Sequence, residues 1–301
     1  MRVLVTGAKG FVGLRLVRRL RTDGHQPIAV DLDEMDVTDR EAVRRTLAHE
    51  RPDAIIHLAG ISFVPDADKD PGLACRVNFA SAQNLIACVE DSGRPVRILL
   101  IGSGEQYGPT APGARPVDED TPLEPGSVYA LAKTAADLAG ELASRRGQDV
   151  LRVRPFNHTG IGQRDVFVAP EFARQVAEIE AGRRTRMSVG NLESVRDLMH
   201  VDDVVDAYVR LLDPRAPAVA YNVASGVGTR IGDLIEMLRS HSTATIEIDA
   251  DPKKLGRPAN ARVGDASRLR DATGWKCTRS VEDVMAELLV HWRERVAEQR
   301  D

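Results

Sequence analysis

Tyr129 and Lys133 stand four residues apart in the run Tyr-Ala-Leu-Ala-Lys. On a helix that spacing stacks two side chains on one face. An ammonium beside a phenol stabilises the phenolate, so a group with an ordinary pKa of about 10 exchanges protons nearer neutrality. A core tyrosine beside a solvated lysine has the same spacing, so the pair gains meaning only from its companions. One is Ser103, which ends the apolar run VRILLIGS at 96–103. A hydroxyl there either bonds a reacting oxygen or caps a turn.

A second companion is Gly7-Ala8-Lys9-Gly10-Phe11-Val12-Gly13, lying between an apolar strand-like run at 3–6 and an amphipathic helix at 11–22. A dinucleotide-binding loop requires that context. Gly7 permits a tight turn, Gly10 a close approach of backbone to pyrophosphate, and Gly13 close packing of helix on sheet. Phe11 and Val12 open the helix whose free N–H groups and positive dipole end suit phosphate. Asp31 follows Gly13 by 18 residues, at the end of the next strand. An acid there bonds the adenosine ribose and repels a 2′-phosphate, favouring NAD(H). Lys9 works the other way, so NADP(H) stays open. Asp36 and Val37 are candidates to flank the adenine. Leu58, Ala59 and Gly60 end a third strand at the edge that would line pyrophosphate and ribose.

These motifs need a sheet to align them. Short apolar runs alternate with helical patterns: strands at 3–6, 27–31, 53–60, 96–103 and 149–156, and helices at 11–22, 38–49, 71–92 and one through 129–133. The 38–49 helix would open on a capping box from Thr38 to Glu41. This alternation predicts an α/β fold, a Rossmann-type doubly wound parallel sheet. Residues 104–126, rich in Gly and Pro, read as a loop. Later helices read at 168–182, 202–213, 231–240 and 281–299, with Asp202 or Asp203 near the cap of the second. Strands read near 185–190, 219–224 and 245–249. The expected division is a coenzyme domain over 1–157, with returning segments near 195–225, and a smaller substrate-binding lobe over most of 158–301.

Bulk properties narrow the class. The 301 residues are 43% hydrophobic and 29% charged with a net charge of −4. There is no basic excess to neutralise nucleic-acid phosphates. Three scattered cysteines without a C-x-x-C pattern argue against a disulfide framework or a zinc site, and no metal is expected. With no signal-peptide pattern and no apolar run of about 18 residues, the expectation is a cytoplasmic protein away from membranes.

Taken in order, GAKGFVG, HLAG at 57–60, IGSGEQYG at 101–108 and YALAK at 129–133 resemble the extended short-chain dehydrogenase/reductase family, in particular its nucleotide-sugar epimerases, dehydratases and reductases. The resemblance spans nearly the whole chain. It implies an NAD(P)-dependent enzyme in which Ser103 bonds the reacting sugar oxygen and Tyr129 carries the proton. Lys133 would bond the nicotinamide ribose and lower the Tyr129 pKa. The related 4,6-dehydratases carry an acidic or polar residue, then Glu, after the strand-end hydroxyl. Here the pair is Gly104-Glu105, so elimination lacks one proton handler. Glu105 remains as a candidate catalytic group that orients or protonates substrate.

RPFNHTG at 154–160 and VGNLE at 189–193 look like the GDP-4-keto-6-deoxy-D-mannose reductases. Pro155 and Phe156 would then back the nicotinamide and Asn157 would reach the diphosphate. Val168 and Asn191 would line the substrate site, and Arg196 and Arg257 would clamp the two phosphates. His158 would support its loop. Leu198 stands where that pattern has an aromatic residue, which leaves the exact sugar open. The expected function is reduction of the 4-keto group of a GDP-linked 6-deoxyhexose, giving GDP-D-rhamnose, with NAD(H) somewhat preferred over NADP(H). A nucleotide-sugar 4-epimerase or 4,6-dehydratase is the alternative, and a non-catalytic coenzyme-sensing protein is a third reading. Members of the family it resembles often dimerise through the helix bearing Tyr and Lys, so a homodimer is expected; Leu131, Ala135, Leu138 and Leu142 would supply its apolar stripe, though burial in the monomer core explains them equally well.

Overall fold

Val3 and Val5 lie in one core with Leu16, Val17 and Leu20, while Leu4 between them lies in another with Val43, Leu47, Leu85 and Ile86. That alternation is the period-two signature of a strand covered on both faces. The computed structural model describes residues 1–111, 113–252, 255 and 258–298. Its first half runs β1 (Arg2–Thr6), α1 (Phe11–Thr22), β2 (Gln26–Val30), α2 (Arg40–Glu50), β3 (Ala54–His57), α3 (Val64–Lys69), α4 (Pro71–Cys75), α5 (Ser81–Asp91), β4 (Arg97–Ile101), α6 (Val128–Arg145) and β5 (Val150–Pro155). There follow β6 (Asn157–Thr159), α7 (Val168–Glu180), β7 (Arg186–Val189), β8 (Val195–His200), α8 (Val201–Arg210), β9 (Ala220–Val223), β10 (Gly228–Arg230), α9 (Ile231–Ser240), β11 (Glu247–Ala250), β12 (Ala261–Arg262), α10 (Ser267–Thr273) and α11 (Val281–Glu298).

Six strands form a parallel sheet in the order β2-β1-β3-β4-β5-β9. From β1 the chain passes first to one side and then to the other, so the strand order reverses between β1 and β3. The crevice at such a switch point is where doubly wound sheets bind their ligands. α1 and α8 cover one face, and α2, α5 and α6 cover the other. A separate core joins α7, α9 and α11 to Met187, Val189 and Leu198 of β7 and β8. β8 pairs with β6, β10 and β12 in a small sheet, whereas β9 returns to the large one. No helix among the described residues is long and apolar enough to cross a membrane.

α6 is anchored by charge as well as by apolar packing. Asp137 on α6 accepts from Arg154 Nε at 2.8 Å and Nη2 at 2.9 Å. The same guanidinium donates to Tyr107 Oη at 2.8 Å and to the Glu119 carbonyl at 3.2 Å. Tyr107 donates in turn to Asn222 on β9, at 2.7 Å. All these side chains are buried, so their bonds replace water that would otherwise solvate them.

Several local expectations are corrected. The helix expected over 71–92 is interrupted by a π-helical turn at Arg76–Ala80. The cap of α2 is Asp39, which accepts from the Glu41 amide; Thr38 instead donates to Asp36. Asp202 and Asp203 do lie near the cap of α8, in its first turn, and the capping group itself is His200, whose ring accepts from the Asp202 amide at 2.9 Å. The 104–126 loop opens with a 3₁₀ turn, Gly104–Tyr107. β6, β8, β10, β12, α3 and α10 have no counterpart in the sequence pattern. Most are too short to display a period, and tertiary pairing makes them.

Candidate active site

Gly7 has φ +67°, a backbone region open to glycine. A Cβ on it would lie 2.8 Å from the Ala59 nitrogen, so the glycine loop and the end of β3 touch. A Cβ on Gly13 would lie 2.2 Å from the Gly7 carbonyl oxygen, which is why the helix packs so closely there. Gly10 caps α1 without a side chain, and no acid stands in the first turn. The helix therefore presents free N–H groups and an uncompensated dipole end. Side chains at Gly7 and Gly13 would collide with backbone, and the bare loop with its free N–H groups fits a dinucleotide pyrophosphate.

Asp31 accepts the Lys9 amide N–H at 2.9 Å. Lys9 Nζ lies 3.1 Å from Asp33 and 2.7 Å from Glu34. The cation expected to compete with Asp31 is thus neutralised by neighbouring carboxylates. Asp36 is occupied by the Thr38 amide and hydroxyl, and Val37 is buried. Phe11 stacks on His158 at 6.3 Å. His158 Nδ1 lies 2.9 Å from the Phe156 carbonyl, a loop-supporting contact.

His57 locks the turn at 58–60. Ser81 Oγ donates to the Val77 carbonyl at 2.5 Å, so His57 Nε2 donates to Ser81 Oγ and its Nδ1 accepts from Thr6 Oγ1 at 2.8 Å. Thr6 Oγ1 in turn accepts from the Ala59 amide at 3.2 Å. Burial pushes His57 down to about 3, so it is a neutral structural link. Asn78, on the π turn, accepts from the Ile61 amide at 2.8 Å and donates to its carbonyl at 3.0 Å. Sequence reading missed Asn78; a π turn inside a helix, a frequent mark of functional sites, shows no composition of its own.

Ser103 caps the 3₁₀ turn, accepting from the Glu105 amide at 3.1 Å. The turn is closed reciprocally by Gln106, whose side chain accepts from the Ser103 amide at 2.6 Å. Tyr129 and Lys133 are both buried, in the first two turns of α6. Lys133 Nζ donates to the Ile101 carbonyl of β4 at 2.8 Å, and a Cβ on Gly60 would lie 3.3 Å from it. The four ordered motifs therefore meet at one edge of the sheet. The lowering of the Tyr129 pKa expected from Lys133 does not appear. Burial raises the phenol to about 12, the Ser103 hydroxyl acting to lower it and Glu105 to raise it. Burial also lowers Lys133 to about 8.

Glu105 does not stand open as a proton carrier: Arg262 Nη1 donates to it in a close ion pair. Beside it, a Cβ on Gly104 would meet the Phe156 ring at 3.0–3.1 Å. Phe156 is buried between Gly104 and Gly264 and stacks on Tyr107 at 6.2 Å. Pro155, at the end of β5, is buried with it.

The substrate candidates spread over the second lobe. Asn157 is exposed at the start of β6, and Val168 opens α7 half-buried. Asn191 accepts from the Glu193 amide at 2.9 Å in the turn after β7. Arg196 Nη1 donates to the carbonyls of Val195 at 2.8 Å and Asn260 at 3.0 Å. Arg257 lies outside the described residues. Arg262, which sequence reading passed over, is brought against the Ser103 turn, on Glu105 and the Gly108 carbonyl; it lacked any local motif.

The chain matches the NAD dependent epimerase/dehydratase family over residues 3–224. The GDP-6-deoxy-D-mannose reductase of Pseudomonas aeruginosa is 37% identical over 308 residues, covering 99% of each chain. The structure of RMD from Pseudomonas aeruginosa complexed with NADPH superposes with a TM-score of 0.89 at 35% identity, covering 98% of this chain and 99% of that one. The Thermus thermophilus UDP-glucose 4-epimerase complexed with NAD shares the fold, with a TM-score of 0.85 at 23% identity and coverage of 97% and 99%.

Proposed function

The chain belongs to the NAD dependent epimerase/dehydratase family, and from that premise we propose that it is an NAD(P)H-dependent reductase of the 4-keto group of a nucleotide-linked 6-deoxyhexose. The substrate we assign is GDP-4-keto-6-deoxy-D-mannose and the product GDP-D-rhamnose. The full-length likeness to a GDP-6-deoxy-D-mannose reductase supports this. The observation that carries the choice of reaction is the Phe156 ring against Gly104. A side chain at position 104 would run into that ring at 3.0–3.1 Å, which argues against an acid there and so against elimination; the coenzyme balance separates reduction from epimerisation.

In this reading Ser103 and Tyr129 hold the C4 carbonyl oxygen. Burial keeps the Tyr129 phenol protonated at neutral pH, with a pKa of about 12, which suits a group that gives up its proton only as negative charge develops on that oxygen. When bound, NAD(P)H would be the source of hydride, and the Tyr129 phenol would give the proton that completes the alcohol. Lys133 would bond the nicotinamide ribose, and the glycine cradle with Leu58, Ala59 and Gly60 would hold the pyrophosphate. Arg196 takes the sugar's diphosphate, with Asn157, Val168 and Asn191 around it. Residues 1–157 with α8 and β9 serve the coenzyme, and most of 158–301 serves the sugar nucleotide.

NADH is placed ahead of NADPH, because Asp31, Asp33 and Glu34 surround Lys9 and would repel a 2′-phosphate. A homodimer is supported by α6, where Leu131, Leu138 and Leu142 are each about half exposed on one face; a monomeric mass in sedimentation would count against it. Three free cysteines fit a reducing compartment, and we place the protein in the cytoplasm. The direct test supplies the 4-keto sugar made from GDP-mannose by a dehydratase and follows coenzyme absorbance. One NADH should be consumed per sugar, faster than NADPH at equal concentration. Turnover of a UDP or dTDP analogue alone would sink the GDP assignment, and sugar interconversion without net coenzyme loss would make the protein an epimerase.

A further inference from the structure

β12 and β8 run in parallel with Arg262 opposite Arg196, so the two side chains leave the small sheet on the same face. Their surroundings differ. Arg262 is 6% exposed; its Nη1 donates to Glu105, and its Nε donates to the Gly108 carbonyl at 3.3 Å. Both partners belong to the 3₁₀ turn and its cap, which Ser103 opens. The Arg262 guanidinium is thereby fixed one short turn from the reacting hydroxyl. Arg196 makes no ion pair among the described residues, and its bonds go to two backbone carbonyls. Burial first, and then the neighbouring Arg262, bring it down to about 10. Glu105 thus compensates Arg262 directly and leaves Arg196 without a carboxylate in contact among the described residues.

That arrangement divides the recognition work. An uncompensated guanidinium suits a doubly charged diphosphate. A guanidinium already neutralised by a carboxylate gains little from an anion, but its remaining N–H groups and the carboxylate's remaining lone pairs match the donors and acceptors of neutral hydroxyls. We propose that the Glu105–Arg262 pair reads the hydroxyls of the hexose, with Arg262 as a specificity-determining residue and Glu105 as the positioning residue that holds it. Glu105 then carries no proton in the reaction. The assignment to a hexose beside Ser103 rests on the reductase reading above.

The test measures binding of GDP and of GDP-mannose, which has no keto group to reduce, to the NADH-loaded protein. Kinetics with the 4-keto sugar accompany it. Arg262→Met should bind GDP within about threefold of the parent and lose about tenfold or more in GDP-mannose affinity, the scale of one lost polar recognition pair. Arg262→Lys should recover part of that loss. In Glu105→Gln the rise in KM should exceed the fall in kcat. Equal weakening of GDP and GDP-mannose, or no weakening of either, would overturn the assignment of Arg262. A fall of about 100-fold or more in kcat of Glu105→Gln at unchanged KM would make Glu105 a proton carrier instead. If Arg262→Met does not fold, the Lys and Gln variants decide by the same criteria. A parent protein that shows the GDP-mannose preference and its loss in the variants, yet consumes no NADH with the keto sugar, would overturn the reductase reading and leave this one standing.

Discussion

Tyr129→Phe should lower kcat by about 10²- to 10⁴-fold, the usual contribution of a positioned general acid, while NADH binding stays within about threefold. The ring survives, so the packing of Tyr129 against Ala67 and Ala74 survives with it. Only the proton and the bond to the carbonyl oxygen are lost. The pH profile of the parent sharpens the assignment. With the phenol near 12, the proton donor does not titrate across the neutral range. Lys133, lowered to about 8 by burial, does. Its ammonium is present below that value and lost above it, so kcat/KM should fall as pH rises through about 8, because that parameter reports groups of the free enzyme. A Tyr129→Phe variant with near-parent turnover, or a parent profile flat through pH 10, would refute the assigned roles.

The largest expected effect on stability lies beneath the site. Arg154→Met removes a buried guanidinium and leaves Asp137, 3% exposed, with the longer 3.3 Å ion pair to Arg152 as its one remaining side-chain partner among the described residues. Breaking one side of a buried pair costs about 3–5 kcal/mol. At about 2–4 °C per kcal/mol in a large domain, the melting temperature should drop by roughly 10 °C. Removing both charges together, in Arg154→Met with Asp137→Leu, should recover much of that loss, since the penalty belongs to the buried charge left under-compensated. A double variant no more stable than the single one would show that the network matters through Tyr107 and Glu119 rather than through the ion pair. Thermal unfolding followed by circular dichroism measures both.

The coenzyme loop, the end of β3, the Ser103 turn and the Tyr129 helix were all readable in the chain. Each is a contiguous run, and each has its meaning from a local context of strand, turn and helix. α9 was located to the residue because its apolar period is strong. The small sheet was not readable, because strands such as Ala261–Arg262 exist only through their partners. Arg154 stands inside a run that resembles a substrate loop, yet the fold turns it inward to Asp137. Glu105 and Arg262 are 157 residues apart, and no spacing rule joins them.

What the sequence determined by itself is the chemistry on offer: a glycine cradle for pyrophosphate, a hydroxyl, a phenol and an ammonium, and a glycine where an elimination would need an acid. These are local, because backbone conformation and residue type decide them. What the tertiary structure decided is how those groups are tuned. Burial sets Tyr129 near 12 rather than below its ordinary value, the Phe156 ring closes the space beside Gly104, and Arg262 pairs with Glu105. Desolvation and long-range pairing depend on everything that surrounds a side chain, and only the folded chain assembles those surroundings.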